Sequence, residues 1–274
     1  MKTKSLFLLL IVLSVWSCKP THLDRDGLKG DVKKVTTTVY SAEESKGEVH
    51  KGDFMWCEFV EYNEDGYVFE EGSYDESGEL GRKTQYEYKD KNVITAIYEY
   101  NSKGRKEVEY ETIYQDDKPV RVEFDGEEGS KKNEFEFDGN KLISAKIYDE
   151  GGEYEGTVTF KYNDDDLLIE EISKSDHSTS TFEWKYNDDG MLTEECHTNK
   201  SDDWNSKSTT TYEYDENNHL IKKVEKYTSN DGETTTAEYK YDYTKFDEEG
   251  NWTRRTVYVD NKATQIEERD IEYY

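Results

Sequence analysis

One short pattern recurs along the whole chain and constrains the fold more than any other feature: an aromatic residue followed by a polar or acidic turn that usually contains Asn, Asp or Gly. Examples are residues 62–66 (YNEDG), 74–78 (YDESG) and 186–190 (YNDDG). Between Tyr62 and Tyr162, consecutive copies are 10 to 14 residues apart. Asn, Asp and Gly tolerate positive φ and hydrogen-bond their own backbone, as a reversing chain requires. The pattern therefore predicts hairpins that repeat every two copies.

Between these turns, aromatic or aliphatic residues alternate with polar ones, as in Phe182, Trp184 and Tyr186. A period of two predicts strands with one aromatic face and one solvated face. We expect about 16–17 antiparallel strands in one long meander. Open sheets rarely exceed about 10 strands without curling, and strand twist forces coiling. The sequence therefore predicts an all-β fold, a long antiparallel meander of hairpin repeats curled into a half-pipe, a spiral or a partly closed barrel.

The composition of the chain is acidic and poor in aliphatic residues. It has 64 Asp+Glu against 36 Lys+Arg, a formal net charge of −28, and 32% hydrophobic residues. High charge with low hydrophobicity is typical of disorder, but 14% aromatic residues are too many for a solvated tail. An aromatic core is therefore expected. Nucleic acid is excluded as an expected partner, because binding phosphates requires a basic surface.

The first residues have the features of a targeting segment. Lys2 and Lys4 precede an apolar run from residue 6 to 16. This run is shorter than the ~20 residues of a membrane span and fits a secretory signal peptide. Residues 15–18 (VWSC) resemble the lipobox of bacterial lipoproteins, in which the cysteine is lipidated and becomes the first residue. The alternative is an ordinary signal peptide cut before an unmodified cysteine.

We therefore expect a lipoprotein signal peptide over residues 1–17, a lipidated Cys18, an anchor linker over residues 18–30 and a single β-meander domain over residues 31–274. Acyl chains contribute about 0.8 kcal/mol for each buried CH₂. Residues 1–17 carry two lysines and no acid, so the remaining chain has a net charge of −30. Attraction to anionic lipid cannot hold such a chain at a membrane. The expected location is the bacterial cell envelope, anchored by lipid to a membrane, periplasmic or surface-facing.

Several segments resemble YD repeats of the RHS type, as found in Bacteroidetes YD-repeat lipoproteins. Residues 182–192 and 211–220 resemble the repeat itself, residues 246–255 with 271–274 resemble a closing repeat, and residues 28–35 resemble the opening. The arginine common after the turn glycine is mostly missing, and Gly104-Arg105 is an exception. The resemblance implies a β-sheet shell or meander of unassigned activity over residues 28–274.

The sequence contains no motif that singles out a catalytic or cofactor site. Paired carboxylates are guaranteed by chance among 64 acids, so they do not identify glycosidase chemistry. Glu195, Cys196 and His197 could begin a metal site, but zinc requires three or four ligands and no CxxC or HxxH accompanies them. Acidic turns resemble Ca²⁺ loops without the order of the EF-hand ligands. We expect no enzyme, no resident metal and no cofactor, with weak calcium binding left open.

Trp204 is the one candidate ligand-binding residue. It lies in a polar stretch, residues 198–208, which we expect to be a longer loop than the tight turns of the first half. Loops on a rigid scaffold commonly carry recognition, and an exposed indole can anchor a ligand or partner. Packing of Trp204 over the sheet edge is the alternative. Trp56, Trp184 and Trp252 are expected in the core.

Three kinds of function remain open at this point. The first is a non-catalytic envelope lipoprotein that binds a glycan, a peptide or a partner protein along its sheet or loops. The second is a structural or immunity-type shell with no small ligand, and the third is an envelope hydrolase. Cys57 and Cys196 are expected to be unpaired, because a disulfide requires Cα atoms within about 7 Å and many strands separate these residues.

Overall fold

The computed structural model describes residues 22–89, 94–115, 118–125, 131–138, 141–149 and 152–274. The predicted signal peptide and Cys18 lie outside the described residues. The helix in these ranges, α1, spans His22–Arg25. In the described ranges we find no helix with the length and apolar character that crossing a membrane requires.

Within the described ranges, eighteen strands follow α1, slightly more than the number expected from the turns. They are β1 (Val32–Ser45), β2 (Glu48–Tyr62), β3 (Val68–Tyr74), β4 (Leu80–Tyr88), β5 (Ile94–Tyr100), β6 (Lys106–Gln115), β7 (Lys118–Asp125), β8 (Lys131–Asp138), β9 (Lys141–Tyr148), β10 (Tyr154–Tyr162), β11 (Leu168–Lys174), β12 (Ser178–Tyr186), β13 (Leu192–Ser201), β14 (Asn205–Tyr214), β15 (Leu220–Thr228), β16 (Thr234–Phe246), β17 (Trp252–Val259) and β18 (Lys262–Tyr273).

All of these strands belong to one antiparallel sheet in which each strand pairs with the next along the chain. The predicted all-β, curled antiparallel meander is therefore confirmed. The curl brings the last strand beside the first, so β1 pairs with both β2 and β18. We call the β1–β18 pairing the seam. It runs from Val32 opposite Tyr273 to Ser41 opposite Gln265.

The recurring turn pattern has one repeated geometry. In the β2–β3 turn, the Asn63 side-chain oxygen accepts the backbone N–H groups of Asp65 and Tyr67, and Gly66 has a φ of 80°. In the described ranges, seven other turns share the side-chain acceptor, with at least one bond from the second or fourth residue along: those of Asp75, Asn101, Asp149, Asn163, Asn187, Asp215 and Asp247. The predicted use of Asn and Asp to reverse the chain is thus confirmed.

Turns that follow even-numbered strands lie at the same end of the sheet as α1, because the Leu23 N–H donates to the Gly66 carbonyl. We call this end the terminal rim and the other end the opposite rim. At the terminal rim, tyrosines that precede turns reach the neighbouring strand. The hydroxyls of Tyr186 and Tyr214 donate to the carbonyls of Leu168 and Leu192. Tyrosine at this position therefore links neighbouring strands, a reason for its recurrence in the pattern.

The register divides side chains between two faces of the sheet, since residues directly opposite each other in a ladder share a face. One face carries the three clusters of buried apolar side chains, centred on Val35, Ile97 and Val158. We call it the inner face. The other, outer face carries cross-strand ion pairs such as Lys185–Glu194 at 2.8 Å and Lys161–Glu170 at 2.6 Å. The alternation predicted from sequence therefore separates a core from a charged surface.

Candidate functional site

Trp204 lies in the tight turn between β13 and β14, at the opposite rim. The expected long loop over residues 198–208 is wrong, because β13 continues to Ser201 and β14 begins at Asn205. The Ser201 N–H and hydroxyl both donate to the Trp204 carbonyl, at 2.8 and 3.0 Å. Threonine and serine in this stretch are compatible with strands, and their polarity made a paired hairpin look like a loop.

The indole of Trp204 is 47% exposed. Asn199 opposite Ser206 belongs to the inner face, and one further step of two residues assigns Ser201 and Trp204 to the same face. Trp204 therefore presents an accessible ring where the inner face meets the opposite rim. The sequence could not assign this orientation, because it depends on the register.

Polar side chains and one more aromatic ring continue the inner face below Trp204. Tyr227 of β15 lies opposite Ser208 of β14 and is 41% exposed. His197 of β13 also lies opposite Ser208, from the other side of β14. We define the Trp204 patch as the inner-face residues Trp204, His197, Asn199, Ser206, Ser208 and Tyr227. Sequence reasoning named Trp204 as a candidate ligand-binding residue and His197 only as a candidate metal ligand. It missed the other four, whose only signal was a spacing of two along each strand.

His197 is fixed in this patch by two contacts. Its ring stacks on Phe182 with centroids 4.0 Å apart, and its Nε2 lies 2.8 Å from the Ser180 hydroxyl. Burial lowers the pKa of His197, and the charge of Glu195 only partly opposes this. The imidazole is therefore neutral at neutral pH, and Nδ1 is the ring nitrogen that the Ser180 contact leaves for a ligand.

Neighbouring turns hold the rim in place around Trp204. Asp202 lies 3.5 Å from the ring nitrogen of His177 in the β11–β12 turn. The Asn205 N–H donates to the Asn230 side chain in the β15–β16 turn at 2.9 Å. Three successive turns are thus linked, so the patch rests on hydrogen-bonded strands and turns. Preorganised polar groups of this kind favour binding, because less motion is lost when a ligand arrives.

The candidate metal ligands from the sequence are not brought together. Cys196 and His197 are consecutive in β13, so their side chains point to opposite faces. Across the residues for which positions are given, no group of three His, Cys, Asp or Glu side chains could hold a metal ion. In the acidic turns, the Asn and Asp oxygens accept backbone N–H groups of the turn itself.

The remaining expectations concern the cysteines and the tryptophans, and not all of them are correct. Cys57 and Cys196 are buried and free, so the prediction of no disulfide is confirmed. Trp252 is 7% exposed and belongs to the core as expected. Trp56 is 39% exposed, so its expected place in the core is wrong. It lies at the end of β2 that β3 does not reach, since the β2–β3 ladder begins with Cys57 opposite Tyr74.

No protein-family model and no curated protein sequence matches this chain. Similar solved structures include a porin-like protein from Bacteroides uniformis, with a TM-score of 0.44 and 11% identity, over 89% of this chain and 99% of that one. A porin-like protein from Bacteroides vulgatus has a TM-score of 0.40 and 14% identity, over 89% of this chain and 98% of that one.

Proposed function

We propose that this protein is a non-catalytic binding module of the bacterial cell envelope that holds a glycan at the Trp204 patch. The observation that carries the proposal is that two exposed aromatic rings, Trp204 and Tyr227, share one face of the sheet with hydroxyl and amide side chains. Sugar rings have apolar faces that stack on aromatic rings and hydroxyl edges that need donors and acceptors. Both kinds of group are present here in register.

The chemistry of the patch favours a glycan over a peptide. A peptide that binds along a sheet commonly pairs with a free strand edge, whereas β14, which carries Ser206 and Ser208, pairs with β13 and β15. The patch offers Asn199, the two serines and the neutral His197 for hydrogen bonds to hydroxyl groups. A neutral sugar also avoids repulsion from a chain of net charge −28.

The place of the patch also fits an anchored protein. α1 begins four residues after Cys18, and Leu23 binds the β2–β3 turn at the terminal rim. Four residues span at most about 14 Å. Lipidation of Cys18 would therefore hold the terminal rim near the membrane and leave Trp204, at the opposite rim, pointing away from it. A glycan of the envelope could then reach the patch without crossing the lipid surface.

The test is binding of the full-length, lipid-carrying protein in detergent to an array of bacterial envelope polysaccharides. We expect saturable binding by wild type and a loss of tenfold or more, about 1.4 kcal/mol, for Trp204→Ala. Phe69→Ala removes an equally exposed ring at the terminal rim and should bind as wild type does. The thermal midpoint of Trp204→Ala should stay unchanged.

Two results would contradict the proposal. A lowered midpoint with normal binding would assign Trp204 to packing of the rim. Absence of wild-type binding to every polysaccharide on the array would favour the structural-shell alternative.

A further inference from the structure

Two arginines on the inner face lie against one tryptophan near the seam. The guanidinium carbon of Arg269 in β18 lies 3.7 Å from the centroid of the Trp252 ring, and that of Arg255 in β17 lies 4.3 Å from it. Cation–π contacts stabilise a buried cation but leave its N–H groups without acceptors. The two arginines must therefore find hydrogen-bond acceptors elsewhere.

Arg255 has such acceptors. Its Nε and Nη2 both donate to Glu267 Oε2, at 2.8 and 2.6 Å, and its Nη1 donates to the Tyr243 hydroxyl at 3.3 Å. The Glu267 carboxylate is buried and directly opposite Arg255 in the β17–β18 ladder. Every nitrogen of the Arg255 guanidinium thus has an acceptor, and the pair shows how an arginine of the inner face binds a carboxylate.

Arg269 lacks an equivalent partner. It is largely buried, and its Nε has no hydrogen-bond acceptor. Over the ranges that the structure covers, no carboxylate forms an ion pair with it. Burial and the nearby charge of Arg255 lower the pKa of Arg269 to about 10, so the guanidinium is charged at neutral pH. A buried charged donor without an acceptor costs more than a neutral one.

The acidic residues near Arg269 either bind other side chains or are separated from it by another residue. Glu267 binds Arg255, and Asp26 accepts the Tyr62 hydroxyl at 2.6 Å. Glu58 faces the same side from β2, but Thr37 of β1 lies between it and Arg269 in the two ladders. Although part of Glu58 is exposed, burial is the main cause that raises its pKa, with the charge of Glu267 adding to the effect. Thr37 is thus flanked in the two ladders by Arg269, whose Nε has no acceptor, and by Glu58, whose pKa is raised.

We propose that Arg269 is a binding site for the carboxylate of a ligand on the inner face, with one carboxylate in an otherwise uncharged molecule. The single negative charge follows from the surroundings, because Glu58, Glu267 and the net charge of the chain repel polyanions such as nucleic acids. Arginine pairs with carboxylates through two parallel N–H···O bonds. This site is separate from the Trp204 patch, and it does not depend on a glycan binding there.

Two sources could supply such a carboxylate, an acidic sugar or the C-terminus of a peptide. The probes are D-glucuronate and N-acetylglycine, and the neutral controls are D-glucose and N-acetylglycinamide. The full-length protein has seven arginines, so their Nε–H resonances can be separated by NMR. The Arg269 resonance is the one lost in Arg269→Lys, since lysine has no Nε–H.

We expect the Arg269 Nε–H resonance to shift saturably with at least one carboxylate probe and with neither neutral control. Arg269→Gln should abolish binding of that probe. Arg254→Gln, which removes the neighbouring arginine on the outer face, should leave binding unchanged. Glu58→Gln should tighten binding severalfold, because it removes a negative charge that repels the carboxylate of the ligand.

Two results would overturn the proposal. One is the absence of a saturable Arg269 shift with both carboxylates in the wild-type protein, a measurement that requires no variant to fold. The other is binding that survives in Arg269→Gln with an unchanged thermal midpoint. A response to glucuronate alone would identify an acidic sugar as the ligand, and a response to N-acetylglycine alone would identify a peptide C-terminus.

Discussion

Glu171 is an acidic residue buried among aromatic side chains. It lies on the inner face of β11, between Phe160 of β10 and Phe182 of β12, and is 1% exposed. Neither carboxyl oxygen has a hydrogen-bond partner. Burial therefore raises the pKa of Glu171 to about 7. Nothing in the sequence distinguishes this residue from the other acidic residues of the chain.

This burial makes stability depend on pH. Between pH 4.5 and about 7, the folded state keeps a proton on Glu171 that the unfolded state releases, so stability falls as pH rises through this range. We expect Glu171→Gln, which imitates the protonated acid, to raise the free energy of unfolding by roughly 2–3 kcal/mol at pH 8 and much less at pH 5. Urea denaturation at the two pH values measures the difference.

Glu170→Gln is the matched control for this prediction. Glu170 is the preceding residue, faces outward and pairs with Lys161 at 2.6 Å. Since exposed ion pairs contribute little, its replacement should change stability by less than about 1 kcal/mol at either pH. An equal effect of Glu171→Gln at pH 5 and pH 8 would show that ionisation of Glu171 does not limit stability.

At the scale of single elements, the turns of the recurring pattern share one kind of side-chain acceptor, an Asn or Asp oxygen. In the β14–β15 turn, Asp215 Oδ1 accepts the N–H groups of Asn217 and His219, each at 2.9 Å. Burial alone would raise the pKa of Asp215, but these N–H groups and the His219 side chain outweigh it and lower the pKa. The turn is therefore stabilised by the ionised form of this residue.

We expect Asp215→Ala to lower the free energy of unfolding by about 1–2 kcal/mol, because two N–H groups lose their acceptor. Asp215→Asn replaces the carboxylate oxygen with the amide oxygen that Asn63, Asn163 and Asn187 use in the equivalent turns. The loss of unfolding free energy should therefore be much smaller. Chemical denaturation of both variants is the measurement. Equal losses for the two variants would mean that the charge of Asp215, and not its oxygen, stabilises the turn.

The same elements show what sequence can and cannot predict. Turn positions follow from residue chemistry, so the meander was predictable from the Asn, Asp and Gly pattern alone. The bulges were not. Beside the β14–β15 turn, Tyr214 lies opposite Leu220 and Glu213 opposite Lys222, which leaves Ile221 as an extra residue. Each extra residue changes the face of those that follow. The neighbours of Trp204 on the inner face could therefore not be assigned before the register was known.

At the scale of the whole molecule, the seam gives β1 and β18 a partner on both sides, so neither is left as an unpaired sheet edge. Unpaired edges invite pairing with other chains. The sequence predicted a curled sheet, but not that its ends would pair. Joining the ends depends on contacts between residues more than 200 positions apart, and no local pattern encodes these.

Asn251 links the segment before β1 to the end of β18 at this seam. Its removal should therefore destabilise the seam more than the rest of the sheet. The residue is 3% exposed, and its side chain accepts the Lys29 N–H while donating to the Lys29 carbonyl and the Tyr273 hydroxyl, all within 2.9 Å. Asn251→Ala removes these three hydrogen bonds and leaves the Lys29 N–H and carbonyl without their side-chain partner, so we expect a loss of about 2–3 kcal/mol. Hydrogen exchange should accelerate first in β1 and β18, and only slightly in β12 and β13.

Asn251→Asp keeps the acceptor and loses both donated bonds, and its stability should fall between those of wild type and Asn251→Ala. Uniform acceleration through all strands would instead show that the sheet opens as a single unit, with the seam no weaker than any other ladder.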